Sequence, residues 1–261
     1  MRRPTPSSVV LAGCVLAAVI TAASLGLGPR EPTRAAPRTV VGGDDAVVPI
    51  PPARRAPDPP PPPPPSLPPG ANDVVPLTLE VHIRTEDAGG HVQTVRQTVS
   101  RAADRLHVHT VNGAEWYFER NVRDPRRVSG FLVDHASRAI VIYSDSDVRN
   151  ELGLPGWAFV VTLGLDPGRL ADLEPSGEVR TVDRVRFTRY TTSRSDAAAP
   201  VVWWSDQHVL PGEFVTRNET GSTRVSVERA RAGVNANVLQ PPSFRFPDYR
   251  VIDFADWQEH H

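Results

Sequence analysis

The chain has 261 residues, 29 basic side chains that are all arginine, 30 acidic ones and a formal net charge of −1. A balance this even lacks the basic excess that neutralises phosphates, so no nucleic-acid partner is expected. Apolar residues make up 39%, but 13 of the 28 prolines fall between Pro49 and Pro69, which sets a non-globular N-terminal part apart from one domain-sized remainder.

Arg2 and Arg3 precede an uncharged apolar run from Val9 to Gly28. As a helix, a run of that length spans a bilayer core of about 30 Å. The flanking arginines place the rest of the chain on the far side of the membrane. Residues 1–28 are therefore expected to be a signal peptide, cut near Thr21-Ala22-Ala23, or a signal anchor held in the inner membrane. Either outcome exports the remainder to the periplasm or cell envelope and makes the cell membrane a partner of the N-terminal segment. Leu11-Ala12-Gly13-Cys14 has the form of a lipobox, which marks Cys14 as the candidate lipidation site. Too little of the apolar run precedes Cys14 for an ordinary signal sequence, and the plainer reading is a small hydrophobe within the segment. Cys14 is the one cysteine, so the exported part has no disulfide and depends on packing.

Residues 29–73 show no apolar periodicity and are expected to form a disordered, proline-rich linker. The seven prolines Pro59–Pro65 have fixed φ and no backbone donor, which excludes helix and sheet. In the polyproline II form, at about 3.1 Å per residue, Pro49 to Pro69 reaches roughly 65 Å. A spacer fits this composition, and a docking ligand for an aromatic groove is the alternative.

Residues 74–261 carry strand patterns. Leu77, Leu79, Val81 and Ile83 alternate with Thr78, Glu80, His82 and Arg84, the period of a half-buried strand. After Ala88-Gly89-Gly90 the apolar phase slips between Val92, Val95 and Val99, which predicts a bulge in the second strand. Leu106 and Val108 mark a third strand, with His107 and His109 on its other face. Asn112-Gly113 predicts a hairpin turn into Glu115–Arg120, with Trp116 and Phe118 on one side and Tyr117 on the other. Asp124-Pro125 breaks the chain before Val128–Asp134 and Ile140–Tyr143. A helical stretch follows, from Asp145 as N-cap to Leu152 and then Trp157–Leu163, too short to cross a membrane. Strands resume at Glu178–Val182, Val185–Thr192, Val201–Ser205, Glu213–Arg217 and Thr223–Arg229, with Asp206 and Gly221 in turns. About ten strands with one helical interruption indicate a mainly β fold: a curved antiparallel sheet or incomplete β-barrel under a short helical cover.

Three motifs then stand in order. Gly130-Phe131-Leu132-Val133-Asp134 precedes Ala139-Ile140-Val141-Ile142-Tyr143, Val202-Trp203-Trp204-Ser205 precedes Leu210-Pro211-Gly212-Glu213-Phe214, and Phe244-Arg245-Phe246-Pro247-Asp248-Tyr249 lies near the end. Together they resemble the bacterial LolA/LolB/LppX-like superfamily over residues 74–252. The resemblance implies an incomplete β-barrel curved around an apolar cavity and closed by helices, carrying lipids or lipoproteins or sensing envelope stress. Two features depart from the family's chaperones: the apolar run would tether the chain, and none of the arginines can be matched to the family's docking arginine.

Trp116, Phe118, Phe187, Trp203 and Phe214 alternate with polar neighbours on separate strands, and Trp157, Phe159 and Leu163 lie on the helical cover. This set is expected either to line a ligand cavity or to fill a core; periodicity does not distinguish the two. His82, His107 and His109 lie on polar strand faces and are expected to be exposed, not metal ligands, since no acidic or cysteine partner stands at ligand spacing. Asp145-Ser146-Asp147 has the start of a calcium loop without its glycine or its later glutamate, so helix capping explains it. No nucleophile elbow, zinc-protease, P-loop or dinucleotide fingerprint occurs. Ser205, Asp206 and His208 are too close in sequence for a productive triad. No catalytic residue, cofactor or metal is expected. The leading expectation is an exported envelope protein that binds lipid or the acyl chain of an acylated protein. The alternative is a protein-interaction or sensing module with a filled core.

Overall fold

The computed structural model describes residues 74–111, 113, 115–124, 126–192, 201–218 and 221–260. The apolar N-terminal run with Cys14, the linker to residue 73, Asn112 and Pro125 lie outside the described residues. Alternation decides the first strand. In β1 (Leu77–Asp87), Leu77, Leu79, Val81 and Ile83 are buried, while the residues between them are half-buried or exposed. The strands that follow are β2 (Val92–Arg101), β3 (Arg105–Thr110), β4 (Glu115–Arg120), β5 (Val128–Asp134) and β6 (Ala139–Tyr143). After the helical cover come β7 (Glu174–Val182), β8 (Val185–Thr191), β9 (Val201–Ser205), β10 (Leu210–Asn218), β11 (Gly221–Ala232) and β12 (Arg250–Asp253). Their order in one curved, unclosed sheet is β12-β6-β5-β4-β3-β2-β1-β11-β10-β9-β8-β7.

Three details differ from the sequence expectation. The sheet is mixed, because β12 pairs parallel with β6, and β12 is a short, mostly exposed strand without an alternating signature. β2 pairs with β1 in continuous register; the bulge lies between β1 and β11, where Glu228 is the extra residue opposite the step from Glu80 to Val81. The slip of phase in β2 reflects its exposed first half instead. The N-cap of α1 (Asp145–Asn150) is Ser144, whose side chain accepts from the Asp147 amide while the Asp147 carboxylate accepts from the Ser144 amide. Asp145 accepts from the Val128 amide at 3.0 Å and from Arg149 at 2.7 Å.

The main core lies on the concave side, where α2 (Trp157–Val161) covers the sheet. The chain after β11 returns along the convex side as a strap. Its 3-10 turn Ala236–Leu239 contacts β2 and β3, with Arg105 donating to the Leu239 carbonyl at 3.1 Å. Beyond α3 (Pro242–Arg245), Phe246 and Tyr249 pack on Tyr117, Val133 and Ile140. The strap then adds β12 at the edge. Through α4 (Phe254–His260) it reaches back to the main core, where Phe254 stacks on Tyr143 at 4.4 Å and Trp257 is buried.

Gly212 shows how tightly the second half closes. A Cβ built there would stand 2.5–2.8 Å from the Phe187 ring, and Phe187 is fully buried. Gly212→Ala should therefore destabilise the domain by about 1–3 kcal/mol through overpacking. Chemical denaturation followed by tryptophan fluorescence checks this; an unchanged midpoint would mean the Phe187 ring moves freely.

Candidate ligand-binding site

The concave face of β1, β2 and β3 presents Val81, Ile83, Val99, Leu106 and Val108, and β4 adds Phe118. Facing them are Phe159, Val160, Leu163 and Gly164 of the cover. The space between holds about 30 Å³, the share of one water molecule in the liquid. Gln97 is the one polar residue among its described lining, and its amide donates to Thr110 Oγ1 at 3.3 Å. In this closed arrangement the interior is an apolar core with a small gap.

The cover is a short flap. A five-residue helix is far below the length at which helices are stable alone, so packing and anchors hold α2 in place. Gly156 caps it without a side-chain bond. At its other end Leu163 and Gly164 adopt φ of 56° and 88°. A leucine in the left-handed region stores about 1–3 kcal/mol of strain; here Leu163 accepts it with its side chain against the gap. Thr162 Oγ1 lies 2.7 Å from the Ala158 carbonyl and 2.5 Å from the Leu165 carbonyl and shares its one proton between them, which tightens this reversal.

One side chain ties flap to sheet. Arg101, at the end of β2, is 0% exposed. Its Nη1 donates to the Val161 carbonyl on the flap and the Val209 carbonyl in the β9–β10 turn, each at 3.0 Å, and its Nη2 donates to the His208 carbonyl. Its Nε has no partner among the described residues, and burial pushes the guanidinium down to about 10. Three backbone carbonyls thus stand where a buried cation normally has a carboxylate.

The aromatic set divides among three environments. Phe118, Phe159 and Leu163 line the gap. Trp116 stacks on Phe118 at 5.9 Å and touches Tyr143, while Trp157, Phe187 and Phe214 are buried in the same core cluster outside the described lining of the gap. Trp203 is only partly buried, with the Arg180 guanidinium 4.5 Å from its ring; the inward ring of that pair is Trp204. Ser205, Asp206 and His208 do not assemble. Ser205 Oγ and His208 Nδ1 have no hydrogen-bond partner among the described residues, and Asp206 accepts from the Tyr190 hydroxyl at 3.0 Å.

A second cluster, on the convex side, was not expected. Glu115 is buried and accepts from His107 Nε2 at 2.9 Å, the Tyr117 hydroxyl at 2.7 Å and Arg245 at 3.1 Å. His135 Nε2 stands 3.3 Å away and His109 Nδ1 3.6 Å. Arg245 also donates to the Tyr117 hydroxyl, and His135 Nδ1 meets the Tyr249 hydroxyl at 3.0 Å. The strap therefore closes over Glu115, and His107, expected to be exposed, is 4% exposed. His82 lies elsewhere, 3.7 Å from Glu228. No cluster among the described residues could hold a metal ion, and Arg245 at the carboxylate would repel one. Burial alone would raise the Glu115 carboxyl. The bonds from His107 and Tyr117 and the neighbouring positive charges outweigh it and hold the carboxyl well below the usual range. Burial lowers His107, against the opposing pull of Glu115.

No protein-family model and no curated protein matches the chain. Several solved structures are similar in backbone. An uncharacterized conserved protein from Thermus thermophilus is 13% identical, with a TM-score of 0.40 over 70% of this chain and 93% of that one. MucB from the Pseudomonas aeruginosa MucA/MucB complex is 14% identical, with a TM-score of 0.40 over 66% of this chain and 57% of that one. A LolA superfamily protein from Nitrosomonas europaea is 8% identical, with a TM-score of 0.31 over 65% of this chain and 91% of that one. The LolA-like resemblance is one of structure alone.

The depressed His107 has a direct consequence for stability. A buried histidine held neutral binds fewer protons folded than unfolded, so stability falls as pH drops below the ordinary value of 6.5. Glu115 acts in the same direction at lower pH: its contribution is present above the carboxylate's ordinary 4.5 and is lost below it. Between about pH 7 and about pH 5 the wild-type denaturation midpoint should fall relative to that of His107→Gln, which lacks the titrating ring. Parallel curves for the two proteins would mean His107 is protonated without penalty.

Proposed function

We propose that this chain is an exported, non-catalytic envelope protein that binds an apolar ligand, a lipid or the acyl chain of an acylated protein, on the concave face of its sheet. The observation that carries this reading is the flap. A curved sheet whose inner wall is apolar but for Gln97 is covered at that point by a five-residue helix that ends in a strained Leu163-Gly164 reversal and is pinned by Arg101. Raising such a flap exposes the wall to a guest, and each buried methylene then contributes about 0.8 kcal/mol. The guest replaces the contacts that the flap gives up. The apolar run and the linker would place the domain on the outer side of the inner membrane, either tethered there or released by cleavage.

The second reading, a protein-interaction or sensing module with a filled core, is favoured by one observation. The closed gap of about 30 Å³ is an order of magnitude below the roughly 300–1,000 Å³ of ordinary ligand pockets. On that reading the contacts lie outside, at the exposed Phe244 of the strap or along the edge strand β7.

Two measurements separate the readings. The full chain, extracted mildly from cells, should carry lipid detectable by mass spectrometry and should take up a fluorescent fatty acid after delipidation. Phe159→Glu puts a charge on the cavity side of the flap and should weaken that uptake about tenfold or more, with the far-ultraviolet spectrum unchanged. Purified protein free of lipid, with no uptake by wild type, would leave only the filled-core reading.

A further inference from the structure

Between β11 and β12 the chain crosses the convex face without joining the sheet. The Gly233 amide donates to the Pro76 carbonyl at 2.9 Å, and the Arg250 amide donates to the Arg138 carbonyl at 3.1 Å. Between those two bonds, every described backbone bond of the strap closes within the strap itself. Its two helical turns have four residues each, too few to be stable alone. Side chains therefore hold residues 234–249 down. Arg105 holds the Leu239 carbonyl, Arg245 reaches Glu115 and Tyr117, and Phe246 and Tyr249 pack on Tyr117, Val133 and Ile140.

Beneath the strap, His107 has one ring nitrogen satisfied and one not. A carboxylate only accepts, so the 2.9 Å contact with Glu115 makes Nε2 the donor. Nδ1 then keeps its lone pair, buried and without a partner among the described residues. A second ring proton would stand there with neither an acceptor nor water. The charged and titratable groups around the ring come from four elements. β4 supplies Glu115 and Tyr117, whose ring lies 4.4 Å from that of His107, and β3 supplies His109 at 6.4 Å. The β5–β6 turn brings His135 to the far oxygen of Glu115, and the strap brings Arg245. Further out, Arg105 pairs with Glu119 at 3.3 Å, Arg138 with Asp248 at 3.9 Å, and Asp134 accepts from Ser137. On β2, Ser100 and Thr98 stand opposite His107 and His109 and do not titrate. Among the described residues, Glu115 is thus the one carboxylate in contact with the ring, and Arg245 already balances its charge.

We propose that residues 234–249 are an acid-released clamp, closed over a neutral His107 and lifted when His107 takes its second ring proton, because only the lifted state brings water to Nδ1. Burial, with Arg245 and His109 adding to it, holds His107 below its ordinary 6.5 in the closed state, against the pull of Glu115. The lifted ring meets water and returns to that ordinary value. The closed state therefore has its full advantage above about pH 6.5 and loses up to about tenfold per pH unit below it, for one proton. His109 is half-buried and His135 exposed, so both reach water with the strap closed and neither requires it to lift. Lifting leaves β12 paired with β6 and Trp257 in the main core, and uncovers Tyr117, Val133 and Ile140. On an exported domain, this converts acidity outside the inner membrane into exposure of an apolar face. The clamp acts on the convex side and does not rest on what the concave wall binds.

The test is hydrogen–deuterium exchange of the full chain at two pH values, each rate divided by the exchange rate of the free peptide at the same pH. Between about pH 7.5 and about pH 5.5, opening of wild-type peptides covering residues 234–249 should rise about tenfold, while peptides from β1 and β6 keep their protection. His107→Gln keeps a donor toward Glu115 but has no ring to titrate, and its strap should open equally at both values. His109→Gln and His135→Gln should respond to acid as wild type does, which singles out His107 even where His107→Gln does not fold. Strap protection in wild type that does not change with pH overturns the clamp. An equal loss of protection in β1 and β6 overturns it too, since the domain then opens as a whole. A wild-type response in His107→Gln, or its loss in His109→Gln or His135→Gln, overturns His107 as the trigger.

Discussion

A guanidinium with no solvent exposure and no acidic partner among the described residues is the constraint on which the arrangement of the concave side depends. Arg101 is held by carbonyls of two segments far apart in sequence, the flap and the β9–β10 turn. A buried cation is costly unless its donors are satisfied, so the flap and the turn are drawn to fixed positions around it. The anchor joins a short helix to the sheet above a gap of about 30 Å³; on the proposed reading, its strength and the strain at Leu163 set how readily the flap lifts from the wall.

The convex side works by the opposite device. There a buried carboxylate, Glu115, is surrounded by an excess of donors, and the strap that supplies Arg245 and Tyr249 passes on to β12 and to Trp257 in the main core. The strap thus clamps the sheet from both faces near β6, while the flap lies over β1, β2 and β3.

Much of the frame was legible in the sequence because a half-buried strand advertises itself by alternation. β1 follows it, and the split of Trp116 and Phe118 from Tyr117 between the two faces follows from it directly; β4 and β6 are buried on both faces. β12 was not legible: four residues, two of them charged, become a strand only when the strap delivers them parallel to β6. Nor was Glu115. Its ligands come from the strand before it, a turn on β5–β6 and a strap 130 residues away, although the hairpin register that pairs His109 with Glu115 and His107 with Tyr117 was a usable signal. Arg101 reads in sequence as a charge at a strand end; only the return of the β9–β10 turn and the flap buries it. Trp203 and Trp204 show the limit of alternation, since adjacent tryptophans leave the phase open and the inward one is Trp204.

The central claim is that the flap is a unit joined to the sheet through Arg101, and hydrogen–deuterium exchange of the full chain tests it most directly. In Arg101→Met, peptides covering residues 157–165 should exchange about tenfold faster than in wild type, as expected for losing a hydrogen bond to a charged group, while peptides from β1 and β11 keep their protection. Equal exchange of the flap in both proteins, or loss of protection throughout the domain at once, would show that Arg101 does not hold the flap as a separate element.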